Sequence, residues 1–222
     1  MREIFRGNGL EVSFKAKPMI GLAGNGEHTH IGMAAVTKDG KLVNLFAAAQ
    51  PKEDFMSVVG YGSIMGLLKN YEVINPFVSA TNDSLNRLKP GFEAPVCIVT
   101  SLGHNPAVPS RNRTIPAGLI RDLDNPMATR FELRACNPYT NTYLVLAAIY
   151  SAMLDGITVT VAKSTKECVA ELSKNAGEDG FYLEKDRAYR SEDDVFEDYT
   201  DEERDRLFGA PPATVWENMQ GF

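Results

Sequence analysis

Short stretches of alternating apolar and polar residues predict β-strands along the first part of the chain. A period of two is typical of a strand with one face in the core and the other in solvent. This period occurs in residues 10–15, 28–36, 41–46 and 128–135, and residues 96–100 add a short apolar strand. Asp39-Gly40 predicts a turn between the second and third strands, so we expect an antiparallel meander of sequence neighbours.

Apolar residues at helical spacing predict three helices. They cover residues 55–68, 141–154 and 163–175, and we expect Asp155-Gly156 to end the second of them. Residues 184–206 are dense in acidic side chains, which is typical of a solvated helical surface. The fold class is therefore α+β, with an antiparallel sheet and helices packed on one side. Residues 1–157 form its main part, and residues 158–222 form a helical, acidic periphery of the same domain.

Composition narrows the class of protein. A chain of 222 residues can bury one good core. Its net charge of -6 argues against nucleic acid or an anionic membrane as the main partner. The three cysteines share no short spacing, which indicates reduced thiols. The longest apolar run, residues 143–154, is shorter than the ~20 residues that cross a bilayer. We expect a cytoplasmic protein without a membrane partner.

Two histidines stand two positions apart on a predicted strand. His28 and His30 therefore project from the same face and can reach one small ligand. Two histidines that are merely hydrogen-bonded on a polar face would give the same pattern. Before them, Gly24-Asn25-Gly26 allows the main chain to approach a substrate closely, although a simple loop at the start of a strand would look similar.

A second predicted strand places a carboxylate between two guanidinium groups. Arg130, Glu132 and Arg134 share one face of residues 128–135. An exposed strand with paired charges is the simpler interpretation of this alternation alone. If the histidine strand belongs to the same sheet, imidazole and carboxylate can share a hard cation while arginines hold phosphate oxygens. Arg111 and Arg113 add cations, which favours a multiply charged anion such as a nucleoside triphosphate.

Residues 86–95 read Asn-Arg-Leu-Lys-Pro-Gly-Phe-Glu-Ala-Pro and combine a cation, a rigid turn and a carboxylate. A surface turn with two unrelated charges, Arg87 and Glu93, explains this run when it is taken alone. The run nevertheless resembles the signature of the glutamine synthetase family. With its surroundings, this run is one of four segments that resemble the catalytic domain of that family, in the same order: residues 17–33, 75–95, 110–121 and 128–156.

The resemblance implies a reaction and a set of roles. In that family ATP phosphorylates the γ-carboxylate of glutamate, and ammonia then displaces the phosphate to give glutamine. By position in the motifs, the resemblance implies Mg²⁺ or Mn²⁺ ligands at His28 and Glu132, nucleotide contacts at His30, Arg113 and Arg130, and substrate contacts at Gly24 and Arg87. It also implies that Arg113 and Arg134 stabilise the transferring phosphoryl group and that Glu93 deprotonates ammonium. The partners implied are glutamate, ammonia, ATP and further copies of the chain in a homo-oligomeric ring.

One departure from the family pattern is large. The other glutamate ligands of the family and its small N-terminal domain would lie upstream of Met1, so we expect a piece of a longer synthetase that is inactive alone. Two alternatives remain open at this point. One is a glutamate-amine ligase of the polyamine type, and the other is a non-catalytic paralogue or interaction module.

Overall fold

The computed structural model describes residues 1–89 and 94–221, and a mixed four-stranded sheet organises them. The spatial order of this sheet is β1-β6-β5-β4, with β4 and β5 parallel and the other pairs antiparallel. A separate hairpin pairs β2 with β3. The strands are β1 Thr29–Ile31, β2 Ala34–Val36, β3 Leu42–Asn44, β4 Thr100–Ser101, β5 Ala117–Ile120 and β6 Arg130–Leu133.

Helices pack against this sheet, and most of them begin at a polar side chain that accepts a backbone N–H. Such a cap satisfies donors that lack an intrahelical partner in the first turn. The caps are Ser57, Thr81, Asn141, Ser164, Thr200 and Thr214. The helices are α1 Arg2–Gly7, α2 Val58–Lys69, α3 Tyr71–Val78, α4 Asn82–Arg87, α5 Thr142–Thr160, α6 Thr165–Leu172, α7 Asp201–Phe208 and α8 Val215–Gln220.

The sheet buries one face and leaves the other for polar side chains. Ile31, Phe131 and Leu119 lie side by side in the strand register, and all three are buried. They join one apolar cluster with residues of α2 and α5, and the ring centroid of Phe46 lies 4.9 Å from that of Phe131. Because side chains alternate along a strand, the residues next to each of these three on its own strand point to the opposite face.

Two predicted elements differ in extent from the structure. α5 does not end at Asp155-Gly156 but continues to Thr160, because Gly156 lets the backbone of α2 approach closely. The expected strand over residues 96–100 is wrong except at Thr100. By length and composition α5 could also cross a membrane, and 28% of it is buried. Core helices pass the same test, and α5 packs along α2.

The predicted meander is wrong except at its last turn, where β2 and β3 pair as an antiparallel hairpin across Asp39-Gly40. Residues 10–15 form no strand, and residues 28–36 divide into β1 and β2, which belong to different sheets. β1 instead pairs with β6, about a hundred positions away along the chain. Local alternation predicts that a strand exists but carries no information about which strand it pairs with.

The acidic C-terminal region is less helical and more buried than the sequence predicts. Residues 184–200 contain no helix, and α7 begins only at Asp201. Tyr189 and Val195 are fully buried, and Thr100 accepts a main-chain hydrogen bond from Ser191. The region therefore packs against β4 instead of extending into solvent.

Candidate active site

The polar face of β6 and the residue that follows the strand place three charged side chains in a row. Arg130, Glu132 and Arg134 alternate with the buried Phe131 and Leu133, as the sequence predicts. In the strand register, His30 of β1 lies beside Glu132 on one side and Gly118 of β5 lies beside it on the other. The two predicted charged strands are therefore neighbours in one sheet.

His28 and Glu132 meet at the centre of this face. His28 Nδ1 lies 2.7 Å from Glu132 Oε1, and Arg134 Nη1 donates to the same oxygen at 3.1 Å. Burial lowers the pKa of His28, and the positive charge of Arg134 lowers it further, against the opposing effect of Glu132. The imidazole is thus biased towards its neutral form, which is the form that binds a metal ion.

His30 and Arg130 form a second pair on the same face. Arg130 Nε donates to His30 Nδ1 at 3.0 Å, and Arg130 Nη1 donates to the carbonyl of Ala128 at 2.8 Å. These two bonds leave the other guanidinium N–H groups and the remaining ring nitrogen of His30 for an anion. His30 is the register partner of Glu132, and Arg130 lies two positions before Glu132 on β6, so the pair flanks the His28–Glu132 contact.

Arg87 lies in the core of the site and not in an exposed loop. It ends α4 and is only 7% exposed, and its guanidinium donates to the carbonyls of Arg134, Ala135 and Cys136. These bonds hold the chain that leaves β6. Of its five N–H donors, those not used in these bonds remain for a carboxylate.

The loop of Gly24, Asn25 and Gly26, called the glycine loop below, packs directly on Arg87. A Cβ at Gly26 would lie 2.6 Å from Arg87 Nη2 and 3.0 Å from His28 Nε2, and a Cβ at Gly24 would lie 3.0 Å from Arg87 Cγ. Glycine is therefore required for this close approach. The loop, Arg87 and His28 form one continuous surface.

A cavity of about 440 Å³ opens beside Glu132 and brings in the second arginine group. Arg111 and Arg113 line it together with Glu132, Arg134 and Arg121. Within residues 1–89 and 94–221, the side chains of Arg111 and Arg113 form no hydrogen bond or ion pair, and both are exposed. The cavity thus presents unneutralised positive charge next to a carboxylate.

Arg121 is a residue whose role the sequence does not reveal. Its guanidinium donates to the carbonyls of Asp54 and Phe55 at 2.9 Å each and also to the carbonyl of Pro106. It therefore ties the loop between β4 and β5 to the start of α2. A buried arginine that satisfies backbone carbonyls has no sequence pattern of its own.

The donors of this face fit part of a divalent-ion site. His28 and Glu132 place an imidazole and a carboxylate side by side, and both are donors that Mg²⁺ or Mn²⁺ would accept. Among the described residues, no group of three or more His, Cys, Asp and Glu side chains could hold a metal ion. His28 and Glu132 therefore fit two positions of such a site, and the described chain supplies no third.

The structure brings most of the predicted site residues to one region. Gly24, Arg87, His28 and Glu132 are connected by direct contacts, and Arg134 joins them through Glu132. His30 and Arg130 flank this group, and Arg113 faces it across the cavity. Glu93 lies outside the described residues.

Comparisons with known proteins point the same way as this geometry. Residues 1–183 match the family described as glutamine synthetase, catalytic domain. The chain is 40% identical over 162 residues to a glutamine synthetase of Clostridium saccharobutylicum, which is 71% of this chain and 32% of that protein. It is 38% identical over 149 residues to one from Vibrio alginolyticus, and 37% identical over 149 residues to one from Escherichia coli strain K12, each covering 67% of this chain and 28% of the relative.

The chain thus spans about a third of the length of these relatives. The matched residues 1–183 include His28, Arg87, Arg113 and Glu132, which lie around one face of the sheet. The chain belongs to the glutamine synthetase family and carries part of its catalytic domain.

Proposed function

We propose that this chain supplies the phosphoryl-transfer side of an ATP-dependent glutamate-ammonia ligase. In this reaction a γ-carboxylate oxygen of glutamate takes the γ-phosphoryl group of ATP, and ADP leaves. Ammonia then attacks the carboxyl carbon of the resulting γ-glutamyl phosphate, the bond from that carbon to the phosphate oxygen breaks, and glutamine and phosphate form. The observation that carries this proposal is that Glu132 contacts His28 and Arg134 at the edge of a cavity lined by Arg111 and Arg113.

Each group has a task that its surroundings suit. His28 and Glu132 would hold Mg²⁺ or Mn²⁺, which when bound neutralises phosphate oxygens. Arg113 and Arg134 stabilise the charge that spreads over the transferring phosphoryl group, since catalysis of this step is mainly electrostatic. His30 of β1 and Arg130 of β6 contact the nucleotide phosphates from beside Glu132 on the same face of the sheet.

Glutamate is bound on the other side of the His28–Glu132 pair. Arg87 receives a carboxylate with the N–H groups that its three carbonyl bonds leave over, and the backbone of Gly24 faces the amino group. We assign the removal of a proton from ammonium to Glu93. A positioned carboxylate is a competent general base for this transfer.

Nucleotide binding tests this proposal without requiring turnover. We expect ATP to bind the chain in the presence of Mn²⁺, with the dissociation constant measured by titration calorimetry. Arg113→Ala should weaken binding about tenfold, because it removes a hydrogen bond from a charged donor. Glu132→Gln should weaken binding only when Mn²⁺ is present, since Glu132 acts through the ion.

Glu197→Gln provides the matched control. Glu197 is an exposed acidic residue outside the site, so this variant makes the same charge change as Glu132→Gln without touching the proposed ligands. Its ATP affinity should equal that of the unaltered chain. If the unaltered chain binds no ATP with Mn²⁺, the proposal is wrong and a non-catalytic interaction module becomes the better interpretation.

A further inference from the structure

The loop between β4 and β5 carries Arg111 and Arg113, and the C-terminal part of the chain holds this loop in place. The contacts come from residues 190–195, beyond the residues that match the family. They join segments about 90 positions apart along the chain. Such contacts constrain a loop that has no regular secondary structure of its own.

Glu192 is the centre of these contacts. Its carboxylate accepts the backbone N–H of Leu102 at 3.1 Å and that of Gly103 at 2.7 Å, and it also accepts the hydroxyl of Ser101. Arg190 Nε donates to it at 2.7 Å, and the Glu192 side chain is only 13% exposed. Hydrogen bonds to a charged group are the stronger ones, so this carboxylate fixes the start of the loop firmly.

Arg190 closes the same end of the loop from its other side. Its Nη2 donates to the carbonyl of Gly103 at 2.8 Å, and its Nη1 donates to the hydroxyl of Ser173 at 2.8 Å. Gly103 has φ of 101°, and a Cβ there would lie 2.5 Å from the carbonyl oxygen of Val108. The start of the loop is therefore packed against its middle at a position that only glycine fills easily.

Asn112 anchors the loop between its two arginines. Its Nδ2 donates to the carbonyl of Asp193 at 2.8 Å, and its Oδ1 accepts from the hydroxyl of Thr114 at 2.7 Å. Thr114 in turn accepts the backbone N–H of Val195 at 3.2 Å. Since Asn112 points towards the C-terminal segment, the side chains on either side of it are left exposed at the cavity.

We propose that Glu192 is a positioning residue that sets Arg111 and Arg113 for contact with the transferring phosphate. This inference rests on the function proposed above. Two neighbouring cations repel each other and lose conformational entropy when a loop presents them together, so an anchor must hold them. Glu192 does not face the phosphate as a ligand. It acts by fixing residues 101–103, where the loop that carries Arg111 and Arg113 begins.

Trypsin cleavage tests the anchoring directly, because trypsin cuts after Arg111 and Arg113. In the native chain the cleavage rate follows the population in which the loop is open. Glu192→Gln keeps the shape of the side chain but turns one acceptor into a donor that faces N–H groups. We expect cleavage after Arg111 and Arg113, followed by mass spectrometry, to become about tenfold faster.

Two references make this experiment specific. Lys41 is an exposed site in the β2–β3 hairpin, so its cleavage rate should stay unchanged and reveal any change that is not confined to the loop. Glu197→Gln makes the same charge change in the same acidic segment and should leave all rates unchanged. If Glu192→Gln speeds cleavage at Lys41 in parallel, Arg190→Lys replaces it, because lysine keeps the charge and loses the fork that reaches Gly103.

Triphosphate binding tests whether the anchor acts through the arginines. Inorganic triphosphate without metal is titrated into the unaltered chain, Glu192→Gln, Arg113→Ala and the double variant. We expect Glu192→Gln to weaken binding about tenfold in the unaltered background and to have little further effect in the Arg113→Ala background. A residue with a merely structural role would have the same effect in both backgrounds.

Equal cleavage rates for Glu192→Gln and Glu197→Gln would overturn the anchor. Faster cleavage with unchanged triphosphate affinity would overturn its positioning role and leave a contact that only holds the fold. If the unaltered chain binds no triphosphate, the proposed function fails at the phosphate site, and the cleavage rates alone then decide the anchor. The failures of the two proposals are therefore distinguishable.

Discussion

At the scale of single residues, Glu171 shows how a carboxylate can replace secondary structure. It is 5% exposed and accepts the consecutive backbone N–H groups of Phe181, Tyr182 and Leu183 at 2.8, 3.0 and 2.7 Å. Burial alone would raise the pKa of Glu171, but these three donors outweigh it, and the pKa lies below its ordinary value of 4.5. The ionised form therefore stabilises the segment after α6.

We predict that Glu171→Gln lowers the free energy of unfolding by about 2 kcal/mol at pH 7, because it replaces bonds to a charge and points a donor at donors. The folded pKa is depressed, so this stability is present above pH 4.5 and is lost as the pH falls towards the folded pKa. The difference between variant and unaltered chain should shrink below about pH 4.5. Urea unfolding at several pH values measures it, and a difference independent of pH would contradict the prediction.

Residues also differ in how far the sequence reveals their roles. That Arg130, Glu132 and Arg134 share one face is predictable, because alternation along a strand is a local property. The burial of Arg87 is not, since its partners are carbonyls almost fifty positions away. The burial of Glu192 is not predictable either. An acidic run is typical of solvated surface, whether or not one of its side chains is buried.

At the scale of elements, α2 and α5 pack closely because glycines line their contact. A Cβ at Gly156 would lie 2.8 Å from Gly66 N and 2.9 Å from the carbonyl carbon of Gly62. A Cβ at Gly62 would lie 2.7 Å from Ile157 Cα. These positions leave no room for a methyl group unless the two helices move apart.

We therefore predict that Gly156→Ala destabilises the chain by about 2–3 kcal/mol, in spite of alanine's helix propensity being better by about 1 kcal/mol. Gly7→Ala is the matched control, since it also lies in a helix and a Cβ there would meet nothing within 4 Å. That variant should be neutral or slightly stabilising. Urea midpoints of the two variants decide, and equal midpoints would show that the contact adjusts easily.

The same contact explains which elements the sequence predicts well. Residues 55–68 and 141–154 are recognised as helices because their apolar residues and polar caps are local signals. The continuation of α5 through Asp155-Gly156 is not predictable from the sequence. A glycine after an apolar run indicates a helix end when its packing partner is unknown. β5 is missed for a related reason, since residues 117–120 are apolar with a glycine and carry no clear alternation.

At the scale of the whole molecule, the site depends on segments from all along the chain. Gly24, Gly26 and β1 come from the first part of the chain, and Arg87 comes from α4. Arg111 and Arg113 come from the loop between β4 and β5, residues 102–116, and Glu132 comes from β6. The C-terminal segment anchors that loop through Glu192. A single motif would not have indicated this region, whereas four segments in order predict residues that the structure brings together.

The number of ion ligands in the candidate site predicts how tightly the chain alone can bind a divalent ion. The two proposed ligands, His28 and Glu132, would hold a divalent ion much more weakly than a complete set, and the described residues offer no cluster of three. We expect Mn²⁺ to bind the chain with a dissociation constant that Glu132→Gln raises, as measured by electron paramagnetic resonance of the free ion. Glu197→Gln should leave that constant unchanged.

With glutamate, ATP, Mn²⁺ and hydroxylamine, we expect the chain alone to form no γ-glutamyl hydroxamate above a reaction without protein. Weak retention of the ion leaves the phosphate charge without its counterion, and acyl phosphate formation then loses its main electrostatic stabilisation. The released ADP and the hydroxamate are measured together, so that hydrolysis of ATP is separated from ligation. Sustained hydroxamate formation by the chain alone would mean that its own residues complete the ion site, and the assignment of only two ligands would be wrong.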